Sequence, residues 1–423
     1  MAGKVASKKI LLIVFITIFL DMLGVGIIIP VIPSLFAPNS GYEFSHRFLT
    51  FSNNYTLVGW LTAIYPLMQF VFTPLLGQAA DRCGRRKVLI YSVCGTFISY
   101  LLFAYAVVLH SLELMFIARL IDGASGANIA IAQTIISDIS EEQNLARNFG
   151  LIGAAIGLGF VLGPFLGGVL ADGQLSAYFS PVLPFLLTAS LSIANLILLI
   201  FVLPETLSEV KTSKIILTQS VVNLVNIIKL KQVNKLILII FTLNAGFACF
   251  TAFWGILLAA KLHFTSFAIG KFFGYLGVMI ILAQGIVVRR LSGKVSAVKI
   301  LQISLLGVSC VLVGFYFGVS YTSILLINFL VPVLALFMAL SKAFSMSLLS
   351  QNTPSGMRGT VMGVSSSSNA LAQAIPVLVA GYFAAHYSAL PILLGAAIIF
   401  IGGVYFLVQN PTQSLNYNHK KNV

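Results

Sequence analysis

The chain has 423 residues, 59% of them hydrophobic and 9% charged, with a mean hydropathy of +1.01. A soluble domain carries roughly 25% charged residues, so this composition cannot cover a water-facing surface, which excludes soluble enzymes, nucleic-acid-binding proteins and disordered scaffolds. The net charge of +14 then reads as the cationic loops of a polytopic membrane protein.

A spanning helix needs about 20 largely apolar residues. Twelve runs meet that need, at 10–31, 56–77, 87–109, 113–135, 149–171, 183–203, 236–258, 270–290, 297–318, 323–346, 360–383 and 390–408. They predict an all-α membrane protein of twelve spans. The first run is long and lacks a small-residue cleavage site, so it reads as a retained helix rather than a signal peptide. Tyr42–Asn54 is the one sizeable loop on its side. The segment 204–235 is the only long connection and divides the chain into six-span halves, 1–203 and 236–423. Within it, Ile215, Ile216, Val221, Val222, Leu224, Val225, Ile227 and Ile228 predict an interfacial helix lying on the inner leaflet.

Of the 25 Lys and Arg residues, all but five fall in one set of loops. Arg47, Lys261 and Lys271 lie on the opposite side, and Arg119 and Lys342 lie inside spans. This asymmetry predicts a multi-pass protein of the cell inner membrane with both termini in the cytoplasm. Cys83, Cys94, Cys249 and Cys310 have no metal-ligand spacing, and no cofactor or metal is expected.

An ionisable side chain at membrane depth costs at least about 2.5–3.5 kcal/mol and so points to function. Asp21 is roughly 16 Å into span 1, and Asp122 about 14 Å into the oppositely directed span 4. Arg119 precedes Asp122 by three residues and shares its face. These three are the predicted proton-coupling cluster; the alternative is that Arg119 and Asp122 only neutralise each other. Lys342 either serves a cavity or extends its amine to the headgroups. Uncharged cavity candidates are Tyr65, Gln69, Asn128, Gln133, Asn244, Gln284, Asn369 and Gln373. Trp60 and Trp254 read as interfacial anchors or as core.

Two motifs carry more. The first follows span 2: Gly77, Asp81, Arg82, Gly84, Arg85, Arg86 and Lys87 in eleven consecutive positions. The second, in span 5, sets Gly150, Gly159, Gly163, Pro164, Gly167 and Gly168 in one run; small residues permit close helix approach, and proline permits a bend. The first resembles the loop between helices 2 and 3 of the major facilitator superfamily, and the second resembles the antiporter motif of its drug–proton exporters. Leu20-Asp21-x-x-Gly24-x-Gly26, Leu67-Met68-Gln69-Phe70, Ser137-Asp138-Ile139 and Ala146-Arg147-Asn148-Phe149-Gly150 extend the likeness to tetracycline-efflux-type transporters, densely over 10–170. Lys261-Leu-His263 is a thinner likeness beyond.

The resemblance implies two pseudo-symmetric six-helix bundles and export of a small molecule against protons by alternating access. It also implies a cytoplasmic latch, with Asp81 facing the start of span 11 beside Arg358, and Arg85 paired with Asp138. Ser99 stands where the tetracycline exporters have an aspartate. None of the eleven acids follows Glu209, so a carboxylate that carries protons belongs to the first half. The rival substrate is an endogenous anionic metabolite such as a siderophore, to which an acid-free second half offers no repulsion. No nucleophile–base pair, selectivity filter or signalling domain is present in the sequence. The expected partners are a small-molecule substrate, protons and membrane lipids, with no nucleic acid, and the expected state is a monomer.

Overall fold

The computed structural model describes residues 2–37, 42, 44, 53–140, 142–207, 222, 231–291, 294–353 and 358–408. Among the described residues, twelve helical segments of spanning length follow in order. They are α1 (Ala2–Phe36), α2 (Asn54–Cys83), α3 (Arg85–Val108), α4 (Leu112–Ser125 and Asn128–Ile139), α5 (Glu142–Ala171) and α6 (Leu183–Val202). Then come α7 (Lys231–Leu262), α8 (Ser266–Leu291), α9 (Ala297–Ser320), α10 (Ile324–Gln351), α11 (Arg358–Ala384) and α12 (Leu390–Val408). Helix is the form such apolar runs must take, because hydrocarbon leaves each backbone amide no partner but its own chain. Among the described residues, eleven helices are long and apolar enough to cross a membrane. The remaining one, α11, is also long, but Ser365–Ser368, Asn369 and Gln373 make it more polar.

Two spans depart from the continuous helices the sequence predicts. Helix α4 breaks at Gly126 and Ala127. Helix α8 widens into a π-helical turn over Ala283–Val288, an irregularity common at functional sites.

The spans pack into two compact units. The first contains residues 1–52, 64–219 and 264–274, and the second contains 53–63, 220–263 and 275–423. The halves expected from the sequence are thus crossed twice, for a packing reason. In the second unit, Gly59 of α2 lies against the Gly381 Cα of α11, so a β-carbon on it would come within 3.2 Å. In the first, a β-carbon on Gly168 of α5 would come 2.5 Å from the Ser266 carbonyl and 2.8 Å from the Gly270 Cα of α8. Glycine permits both approaches, so the first turns of α2 and α8 join units other than those of their later turns.

The first unit's core runs through Val14, Ile18, Leu89, Ile131, Ile135, Ala155 and Leu199. Helices α1 and α5 pack closely: β-carbons on Gly159, Gly163 and Gly167 would lie 2.5–2.8 Å from atoms of α1. A further tie joins α1 to α6, where the Thr17 hydroxyl donates to Asn195 Oδ1 at 3.0 Å. The second unit is organised on α7, which packs against α11 and α12. Its centre is Trp254, 0% exposed, whose ring is 5.2 Å from that of Phe250 and 5.0 Å from that of Phe315. Trp254 is therefore core, whereas Trp60 is 44% exposed.

A repeat that the sequence supports only weakly, through Gly77-x-x-x-Asp81-Arg82 and Gly285-x-x-x-Arg289-Arg290 at the ends of α2 and α8, is plain in the backbone. Between α3 and α4, His110 adopts φ 52°, and between α9 and α10, Thr322 adopts φ 51°. The following serines, Ser111 and Ser323, each cap the next helix by accepting from the amide three residues on. Ser111 N bonds Ala106 O at 3.0 Å, and Ser323 N bonds Gly318 O at 2.8 Å. The two turns are built alike in the two units.

Candidate transport site

The break in α4 organises the polar interior of the first unit. Interrupting a helix frees carbonyls that must find donors. Gln69 Nε2 of α2 donates to Gly126 O at 2.9 Å, and the Ser92 hydroxyl of α3 donates to Ser125 O. Gly123 lets α4 come against the Tyr65 carbonyl, and Gly95 lets α3 come against Ser125. The irregular backbone is thus held inside protein, where membranes tolerate it.

Around the break lie the predicted charges. Asp21 sits near the middle of the apolar stretch Lys8–Phe36. Its Oδ1 accepts from Asn128 Nδ2 at 2.6 Å. Asn128 is 1% exposed, opens the second segment of α4, and also reaches the Thr96 hydroxyl at 3.4 Å. Its Oδ1 is buried with no hydrogen-bond partner. Arg119 and Asp122, 5% and 4% exposed, form an ion pair at 3.0 Å. The Arg119 guanidinium lies 4.6 Å from the centre of the Tyr65 ring, and the Tyr65 hydroxyl accepts from Gln69 at 3.3 Å.

Asp21, Tyr65, Gln69, Arg119, Asp122 and Asn128 therefore come together in one cluster. Thr96 and Tyr100 belong to it as well, although nothing in their local sequence distinguishes them from ordinary residues of an apolar helix. Gly24, three residues after Asp21, is what lets the Tyr100 hydroxyl approach α1. Ser99 is turned elsewhere and donates to Ala118 O at 2.9 Å. Gln133 lies further along α4 and is half-buried.

The second unit's candidates are more dispersed. Asn244 bonds its own helix at Ile240 O, 2.8 Å away. The Lys342 amine lies 5.5 Å from the centre of the Phe247 ring. The Asn369 Oδ1 is buried without a partner, Gln373 is half-buried, and Gln284 is exposed within the π turn.

At the end of α2, Arg85 binds both Asp81 and, at 3.2 Å, Asp138 at the end of α4. Asp81 thus engages Arg85; its expected place beside Arg358 at the start of α11 falls on side chains outside the described residues. A residue the sequence reading passed over completes this network. Glu205, just beyond α6, accepts from the amides of Arg85 at 2.8 Å and Arg86 at 3.3 Å. It caps the N-terminus of α3, where the helix dipole favours a carboxylate. Gly84 makes room for that cap with φ 104°, a backbone conformation that L side chains disfavour. Arg86 also donates to Ile200 O of α6, while Arg82 is exposed. Gly77 and Gly150 have open space around their α-carbons, so packing here does not demand glycine at either.

A second overlooked acid, Asp172, does similar work at the other end of α5. It is buried, and its Oδ2 accepts from Phe267 N in the first turn of α8 at 3.1 Å. The predicted interfacial helix of the central loop falls outside the described residues.

A multi-pass helical bundle with a buried polar cluster is an architecture that suits a solute transporter. Residues 14–377 match the Major Facilitator Superfamily, and the chain belongs to that superfamily. It is 30% identical over 290 residues to the tetracycline resistance protein, class H, of Pasteurella multocida, covering 68% of each chain. It is 24% identical over 305 residues to multidrug resistance protein 2 of Bacillus subtilis, covering 71% of each. Among solved structures, that of the human organic anion transporter MFSD10 (TETRAN) matches with a TM-score of 0.70 at 21% identity, covering 95% of this chain and 99% of the other. That last likeness shows the fold. The chain is thus a transporter of a small-molecule substrate, not an enzyme.

Proposed function

We propose that the chain is a proton-coupled exporter of the cytoplasmic membrane, carrying small organic molecules outward by alternating access while protons move inward. The efflux proteins among its relatives support the direction. The concentration of Lys and Arg in one set of loops supports a topology with both termini in the cytoplasm.

The observation that carries the reading is the division of partners in the buried cluster. Arg119 is committed to Asp122 at 3.0 Å. Asp21 is held instead by a neutral amide at 2.6 Å. A carboxylate so placed can lose or accept a proton without an ion pair breaking. Asp122, within electrostatic reach of Asp21, shares the titration rather than performing it alone.

Asn128 suits both states of Asp21. Its amide N–H donates to the carboxylate, and its partnerless Oδ1 is available to accept from the carboxylic acid. Asn128 opens a twelve-residue helical segment whose last turn contains Asp138. That rigid segment joins the proton site to the Arg85 network.

The test is reconstitution in proteoliposomes with an acidic lumen and a panel of cationic, neutral and anionic compounds. The reading expects at least one compound to accumulate only while the pH gradient lasts. Accumulation that ignores the gradient, or none across the panel, would contradict it.

A further inference from the structure

The second unit contains no aspartate or glutamate, since all eleven acids precede residue 210. Among the described residues of its spans, the one cation more than two turns from either end of its helix is Lys342 of α10. Between Val331 and Ser350 of that helix, Lys342 and Met346 alone are exposed, and they lie one turn apart on the same face. Their neighbours on that side, Met338, Ala339, Ser345 and Leu349, are buried. The accessible face at Lys342 is therefore a narrow opening in a packed surface, not part of a broad lipid-facing stripe.

The direction of the side chain agrees. A lysine reaching for headgroups extends along the lipid surface. The Lys342 amine instead lies over the ring of Phe247 on α7, 5.5 Å from its centre, and Phe247 is itself buried. The side chain keeps accessible surface while its amine rests against that buried ring. A ring face attracts the amine only weakly and does not neutralise it. No carboxylate among the described residues lies within ion-pair distance of it.

We propose that Lys342 is the anion-recognising residue of this transporter, and that its substrates are small organic anions bearing a carboxylate or sulfonate on an apolar body, flanked by Phe247 and Met346. The proposal rests on the reading of the chain as an exporter of organic molecules and specifies its substrate class. The anion supplies the negative charge that the unit lacks, and Phe247 and Met346 supply apolar contact for the rest of the molecule. The same chemistry would suit the phosphate of an anionic lipid, so the test must separate the two.

The experiment uses purified full-length protein in phosphatidylcholine nanodiscs and equilibrium binding of two probes of one shape, 2-naphthoate and 2-naphthamide. The wild type is expected to favour the anion by about tenfold or more, the range of one charge-assisted hydrogen bond. Lys342→Met should remove that preference, bringing the two affinities together, while Lys342→Arg should retain it. Met346→Glu, which sets a carboxylate one turn from the amine, should also remove it. Replacing a third of the lipid with phosphatidylglycerol should leave the wild-type preference intact. Equal binding of the two probes by the wild type, or an undiminished preference in Lys342→Met, would overturn the proposal. So would loss of the preference on adding phosphatidylglycerol, which would assign the amine to lipid phosphate. Binding is read without a gradient, so this result stands apart from proton-driven transport.

Discussion

Two carboxylates and one arginine share the interior of the first unit, and at the residue scale the question is how that arginine is divided. With Arg119 on Asp122 and both nearly inaccessible, truncating either leaves a buried charge without its partner. Such a loss costs about 3–5 kcal/mol, whereas replacing both with apolar residues avoids it. Asp122→Ala is therefore expected to lower the thermal stability of detergent-solubilised protein sharply, and Arg119→Leu with Asp122→Ala to recover most of the loss. A double variant no more stable than the single would mean that Asp122 acts mainly on Asp21 rather than on Arg119. The sequence made this pair legible, because a spacing of three on a helix fixes a shared face. It did not reveal the Asn128 bond to Asp21, which spans 107 positions and depends on a helix break.

At the scale of elements, the network around Arg85 is more connected than a single ion pair. Asp138→Arg sets two cations together and should abolish transport. Arg85→Glu added to it would not simply restore the pair, because the new carboxylate would face Asp81, to which Arg85 is also bound. Substantial recovery is expected only when Asp81→Asn is added as a third change, measured as transport rate at equal expression. Full recovery in the double variant would show that Asp81 contributes nothing to the network.

Helix α5 separates into two roles. Gly163 packs on α1 within the first unit, and a β-carbon there would lie 2.5 Å from the Leu23 carbonyl. Gly163→Ala is expected to act as an overpacking change, destabilising the fold by about 1–3 kcal/mol, read as a lower melting temperature. An unchanged melting temperature would show that α1 and α5 can part without cost. The glycine spacing thus announced close packing but not its partner: α1 for Gly159, Gly163 and Gly167, and α8 for Gly168. Glu205 and Asp172 escaped notice because a lone acid in a loop looks like solvated charge until the amides it caps are placed beside it.

At the scale of the molecule, long apolar runs made the spans legible, since about twenty largely apolar residues leave the chain few options in lipid; among the described residues α11 alone is more polar than that rule asks. The repeat was faint in side chains, confined to the glycine and arginine positions shared by the ends of α2 and α8. It persists instead in a backbone form, the left-handed residue and serine cap that His110-Ser111 and Thr322-Ser323 share. Charge breaks the symmetry that the backbone keeps, with carboxylates in the first unit and none in the second. That asymmetry leaves the first unit to supply a proton-carrying carboxylate, and the division of partners there, Arg119 on Asp122 and Asn128 on Asp21, carries the central claim, that Asp21 couples transport to protons. The most direct measurement compares wild type with Asp21→Asn in proteoliposomes, using one substrate in two assays: accumulation driven by a pH gradient, and gradient-free exchange of labelled for unlabelled substrate. The account expects Asp21→Asn to keep exchange and lose accumulation. Accumulation by Asp21→Asn at the wild-type level would contradict it.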